Sequence, residues 1–183
     1  MKKDETIGKI LELEVEMFLA VPTDEEPPCR SDIENMRIHR SGQLSSWSED
    51  ACSSYLEDLR RARNKGINLM TIKYARMGKQ IPPYSLNPRI DQIVDIYRQW
   101  QTEILQRYPN VMSGGRDIDD FQVYLRSELE TYSDRTLEIL WTDVRRSREA
   151  GRNMSADVYE HLAGRAGYQS LEDMEKSLRK RYS

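Results

Sequence analysis

Cysteine is nearly missing from this chain: Cys29 and Cys52 are the two among 183 residues. They form neither a metal-ligand spacing nor a disulfide framework. Histidine is as scarce, with His39 and His161 far apart and no His-Glu-x-x-His pattern, so no metal or other cofactor is expected. No run of 18 apolar residues occurs, and no membrane span is expected. Nor is there an excess of positive charge. Lys and Arg number 28 against 31 Asp and Glu, for a net charge of −3, which argues against a nucleic-acid partner. The opening Met1-Lys2-Lys3-Asp4-Glu5 leads into a Glu-rich amphipathic segment, unlike the uniform apolar core of a signal peptide. A reduced, cytoplasmic protein is the expectation.

The composition present is that of a solvated helical protein, 38% apolar and 32% charged. Its strongest pattern is internal. Residues Asp32–Leu69 align with Asp117–Met154 at a constant offset of 85, and ten of the 38 pairs are identical. Among them are Asp32/Asp117, Leu44/Leu129, Ser48/Ser133, Asp58/Asp143, Gly66/Gly151 and Asn68/Asn153. Chance gives about two such identities at average composition. A second match, at offset 87, pairs Ile7 with Val94, Ile10 with Tyr97, Leu13 with Trp100 and Met17 with Ile104. The expected fold is therefore all-α: one domain built of two repeats, 4–78 and 89–164, related by a pseudo-twofold. A linker, 79–88, joins them, and an extra C-terminal helix, 171–181, has no counterpart.

Helical periodicity fills in the elements. A first helix spans residues 4–20, with Asp4 as its cap. Ser31-Asp32-Ile33-Glu34 is a capping box for the second. Gly42 weakens that helix, and Ser46 restarts it; one bent helix is the alternative. The next helix ends at Gly66, and Asn68 caps Leu69–Met77. Asn87-Pro88 opens the second half. Gly151 ends its third helix, Asn153 caps the fourth, Gly164 closes it, and Ser170 caps the last. The paired Arg triplets, at 60, 61 and 63 and at 145, 146 and 148, fall in last turns, where cations offset the helix dipole.

Grooves where helical repeats meet are common ligand sites. Polar and aromatic groups on the inward stripes are therefore the candidates: Arg37, Gln43, Trp47 and Lys73 for binding, and Glu128 and Tyr132 for handling a proton. In this expectation Arg37 and Lys73 meet an anionic group, and partial burial raises the Glu128 pKa toward that of a base. Tyr124 stands at the repeat position of His39. Cys29, beside Arg30 and near a helix start, is a candidate reactive thiol. The expected function is a cytoplasmic small-molecule-binding protein, possessing a pocket between the repeats and open to metal-independent catalysis on an anionic metabolite. A non-catalytic adaptor or assembly protein with a partner protein is the alternative.

The string Met36-Arg37…Gln43…Trp47-Ser48…Tyr55-Leu56…Asp58-Leu59, with Gly66-x-Asn68-Leu69 and Lys73-Tyr74-Ala75-Arg76-Met77, resembles the prokaryotic family called domain of unknown function 4125. So do Tyr124-Leu125…Glu128-Leu129…Thr131-Tyr132-Ser133 and the closing Gly167-Tyr168…Ser170-Leu171-Glu172. The resemblance covers nearly the whole chain and implies no activity. The family's Gly-containing, Cys-Gln loop after the first helix is replaced here by Pro22–Arg30, which keeps only Cys29.

Overall fold

The computed structural model describes residues 2–22, 30–115 and 117–182. Cys29 and the side chain of Ser31 lie outside that description. Among the described residues the chain is all helix: α1 (Lys3–Leu19), α2 (Arg30–Ser45), α3 (Glu49–Asn64), α4 (Leu69–Met77), α5 (Pro88–Arg107), α6 (Ile118–Leu129), α7 (Asp134–Glu149), α8 (Met154–Arg165) and α9 (Leu171–Tyr182). None of these helices is long and apolar enough to cross a membrane.

Helix starts follow the side chains that can accept a hydrogen bond from orphan backbone N–H groups. Ser48, Asn68, Asn87, Asp117, Ser133 and Asn153 all cap in this way. Two expected caps move. Lys2, not Asp4, precedes α1 and makes no side-chain cap bond, leaving Asp4 in the first turn. Ser48, not Ser46, caps α3 by accepting from Ala51 N. The second and third helices are thus separate elements. Gly151 and Gly66 take φ of 70° and 68° just past the ends of α7 and α3, the left-handed turn that glycine adopts without cost. Gly164 does not close α8, which runs on to Arg165 and turns at Gly167.

Gly42 does not interrupt α2; it lets a neighbour close in. A Cβ there would come within 2.9 Å of the His161 ring on α8. Packing at this point depends on the missing side chain.

α1 packs on α2, α3 and α4, and α5 packs on α6, α7 and α8. Between these sets, α2 lies on α8, α4 on α6 and α3 on α7, while α9 rests on α8. One continuous core includes Ile10, Leu44, Leu59, Ile93, Leu129 and Leu140, each 0–1% exposed. A smaller cluster, Ile104, Tyr108, Met112 and Leu171, seats α9. Glu175 fastens that seat, accepting from Asn110 N at 3.0 Å, Asn110 Nδ2 at 2.6 Å and Val111 N at 3.0 Å. Burial works against the ionised Glu175, but these donors outweigh it and lower its pKa.

The residues shared at offset 85 do more than cap helices. Ser48 N donates to Asp143 Oδ2 at 2.8 Å, and Ser133 N donates to Asp58 Oδ2 at 3.0 Å. Asn68 Nδ2 donates to Met17 O at 2.7 Å, and Asn153 Nδ2 to Trp100 O at 3.1 Å. Each Asn therefore caps one helix while tying it to α1 or α5. The Arg triplets stay on the solvent side.

Candidate functional site

Five of the six residues expected to form a site, Gln43, Trp47, Lys73, Glu128 and Tyr132, are buried together. Arg37 does not join them. It sits half-buried in a separate groove beside Glu34, Ser41, His161 and Arg165. The reason is helical phase: six residues at about 100° each leave Arg37 about 120° away from Gln43, whereas Arg40 lies about 60° away. Arg40 is the cation that turns inward, and it is 4% exposed.

Around Arg40 a charged junction closes on itself. Its guanidinium contacts Glu14 at 2.6 Å and Glu128 at 2.5 Å, and donates to Gln43 Oε1 at 2.6 Å. Lys73 Nζ donates to Glu128 Oε2 at 3.1 Å and lies 3.8 Å from the centre of the Tyr124 ring. The Tyr55 hydroxyl donates to Glu14 at 2.7 Å, and that of Tyr132 to Glu128 at 2.5 Å. Trp47 stands edge-on to both tyrosines, with ring centres 5.9 Å apart in each case. Two cations thus meet two carboxylates within a set of neutral donors, the arrangement that makes buried charge tolerable.

These contacts fix protonation. Burial would raise the Glu128 pKa, but Arg40 and Lys73, helped by the Tyr132 hydroxyl, outweigh it and hold the carboxyl at about 2. The expected rise toward a base is therefore reversed, because two cations face this one carboxylate. Tyr132 moves the other way: burial first, then the Glu128 charge, pushes its phenol far above the usual value. Burial opposes the charge on Lys73, yet Glu128 and then Tyr124 raise its pKa. Cys52, buried, is lifted to about 11 chiefly by burial; it is a thiol at neutral pH.

The Lys73-Tyr74-Ala75-Arg76-Met77 segment acts as a strap. While Lys73 reaches Glu128, Arg76 Nε donates to Glu130 at 2.6 Å, and Glu130 also accepts from Tyr84 N at 2.9 Å. Arg76 NH1 meanwhile donates to Ile81 O at 2.8 Å. The loop after α4 is pinned to the end of α6 by this set.

Beside the junction, α2, α5, α6 and α8 leave a crevice with two lobes, about 40 Å³ inside and about 210 Å³ outside. His39, Gln101, Phe121, Tyr124 and Tyr159 border both. Gln43 and Val158 border the inner lobe, and Met112 the outer. Gln43 and Tyr124 therefore belong to both regions. Gln101, 3% exposed, donates through Nε2 to the Tyr159 hydroxyl at 2.9 Å, but its Oε1 has no partner. Sequence reasoning missed Gln101, although it falls four residues after Tyr97 and three before Ile104, on the apolar stripe of α5. It missed Glu14 in the same way: the residue follows Ile7, Ile10 and Leu11 by seven, four and three positions. Among the described residues, no three His, Cys, Asp or Glu side chains gather as a metal centre.

The family resemblance extends through these parts, and the family model titled "Protein of unknown function (DUF4125)" matches residues 4–176. The chain belongs to that family. The junction residues from Glu14 to Tyr132, the Lys73–Met77 strap and the crevice all fall within the match to DUF4125. Neither a curated protein nor a solved structure matches the chain.

Proposed function

We propose that this protein binds a small molecule in the crevice between α2, α5, α6 and α8, and that the charged junction is the rigid wall behind it. The observation carrying this reading is a recess lined by Phe121, Tyr124 and Tyr159, with the Gln101 amide, bonded to the Tyr159 hydroxyl, on its border. Ligand sites combine mostly apolar walls with a few placed polar groups in this way. Arg40 and Lys73 each face a carboxylate, so a neutral ligand suits the recess better than the anion expected from sequence. Glu128 and Tyr132, 3% and 4% exposed, serve in this reading to hold Gln43 and Tyr124 in place through Arg40 and Lys73. A cytoplasmic location belongs to the same reading.

The crevice also fits a duplicated frame, with repeats at 4–78 and 89–164. The reciprocal Ser48–Asp143 and Ser133–Asp58 bonds support a pseudo-twofold, as do the paired Asn68 and Asn153 ties. For α1 and α5 the burial pattern supports offset 83 over 87. Residues 7, 10, 11, 13, 14 and 17 are buried, and so are 90, 93, 94, 96, 97 and 100. At offset 87, by contrast, buried Leu11 would pair with exposed Arg98. Under this frame Val158 occupies the position of Lys73, Leu125 that of Arg40 and Tyr97 that of Glu14. Where one copy fills its space with ions, the other leaves a recess.

The test uses three bicyclic probes, indole, benzofuran and quinoline, in thermal-shift titrations. At least one should raise Tm saturably in the wild type and lose that effect in Val111→Trp, whose position borders the outer lobe. No shift from any probe would overturn the reading. The adaptor alternative then gains weight, because Tyr84 and Leu86 are 50% and 86% exposed on the loop between α4 and α5.

A further inference from the structure

We infer that the groove bordered by α1, α2 and α8 is a second binding site, for the phosphate group of a small phosphomonoester, with Arg37 and Arg165 as the residues that hold it. Arg37, expected from sequence to meet an anion, is kept out of the junction by helical phase and borders this groove instead. Glu34, Arg37 and Ser41 fall at i, i+3 and i+7 on one face of α2, and His161 and Arg165 stand one turn apart on α8. Leu11 of α1, 7% exposed, adds an apolar border. The close approach of the His161 ring to Gly42 brings the two faces together.

Uncommitted cations set this groove apart from the charged junction. Arg40, three residues beyond Arg37, meets Glu14 and Glu128, and Arg76 meets Glu130. Arg37 and Arg165, by contrast, form no ion pair with any described residue. Glu34 precedes Arg37 at a spacing that permits a pair, yet none forms. Two Arg against one Glu leave the border at +1 with His161 neutral. Both cations are accessible, Arg37 half-buried and Arg165 exposed, so a dissolved anion reaches them without displacing a partner. Screening at a half-buried guanidinium is weaker than on open surface.

Donor number and charge define the class. A guanidinium offers parallel N–H groups to paired oxygens, and two of them with the Ser41 hydroxyl exceed what the two oxygens of a carboxylate can use. A phosphomonoester presents three terminal oxygens and a charge of about −1.5 to −2, enough to stay attractive beside Glu34. The groove holds about 180 Å³, against the roughly 150 Å³ of a cavity that accommodates benzene. That leaves room for a small organic body behind the phosphate, with Leu11 beside it. The groove and the crevice share no bordering residue, so the two sites stand or fall separately.

The chain has two histidines, and their ring proton signals make a direct nuclear magnetic resonance test. Inorganic phosphate, methyl phosphate and acetate are titrated at fixed pH and ionic strength, with His161→Gln to assign the signals. Both phosphates should move the His161 signal saturably and leave that of His39 in place, and acetate should bind about tenfold or more weakly. Arg37→Gln and Arg165→Gln should each weaken methyl phosphate about tenfold, the scale of a lost hydrogen bond to a charged group. An unmoved His39 signal in each variant reports an intact fold. Arg61→Gln, on the solvent side of α3, and Val111→Trp, at the crevice, should leave the affinity unchanged. Failure of both phosphates to move His161 saturably, equal affinity for acetate, or indifference to either groove substitution would overturn the inference.

Discussion

On one side of Gln43, six polar side chains satisfy one another; on the other, aromatic rings and an amide border open space. The two regions share a wall and solve burial differently. In the junction, Glu14, Arg40, Tyr55, Lys73, Glu128 and Tyr132 exchange hydrogen bonds and charge until little is left to offer a ligand. In the crevice the bordering groups are aromatic, aliphatic and thioether side chains with an amide and an imidazole, and the space between them is open. The difference teaches that a cluster of charged residues need not be where binding happens. In the proposed reading the charge belongs to the scaffold, and the ligand to the recess beside it.

The largest expected effect breaks the junction. Arg40→Met strands Glu14 and Glu128 without their shared cation, and should cost about 3–5 kcal/mol in urea melts. Phe121→Ala on the half-buried crevice wall should cost less than half as much. Similar losses from both would erase the distinction between a filled junction and an open crevice. Next come the leucines that frame both regions. Leu44→Ala and Leu129→Ala, at 0% and 1% exposure, should each cost about 2–5 kcal/mol. Arg61→Ala or Arg146→Ala, on the solvent side, should cost well under about 1 kcal/mol. Melts in which the Arg and Leu losses coincide would contradict the burial described for these helices.

The pH dependence sharpens the comparison further. Glu128 is held at about 2, below an ordinary carboxyl near about 4.3. Its stabilisation is therefore present above the unfolded value and lost as pH falls from about 5 toward about 2. Lys73→Met removes one of the cations that depress Glu128, so this variant should lose less stability across that acid window than the wild type. Urea melts at stepped pH measure the slope; an unchanged slope would mean Lys73 does not hold Glu128 down. The smallest effect belongs to the crevice. Val158→Phe grows into the inner lobe and should shift stability by no more than about 1 kcal/mol either way. A loss of several kcal/mol in its melt would mean the lobe has no room.

Much of the helical order was legible in the sequence, because the cues are local: Asn68, Asn87, Asn153 and Ser170 cap where their spacing places them. The site was legible in part. Gln43, Trp47, Glu128 and Tyr132 lie on apolar stripes, and Lys73 follows from the short α4. Arg37 is the one flanked by apolar Met36 and Ile38, whereas Arg40 stands between His39 and Ser41; a three-residue step turns the side chain by about 60°, and Arg40 is the one buried at the junction. Glu14 and Gln101 went unseen because each polar residue sits within an apolar stripe, where its burial depends on partners far along the chain: Arg40 for Glu14, Tyr159 for Gln101. The crevice itself is a property of four packed helices, and no local pattern announces an unfilled space.

One measurement tests the central claim most directly: isotope-filtered nuclear Overhauser spectra of the wild-type protein with bound indole. The account predicts cross-peaks from the indole protons to the rings of Phe121, Tyr124 and Tyr159. Cross-peaks to Trp47 and Tyr55 in the charged junction, or contacts scattered over the surface with none to the crevice rings, would contradict it.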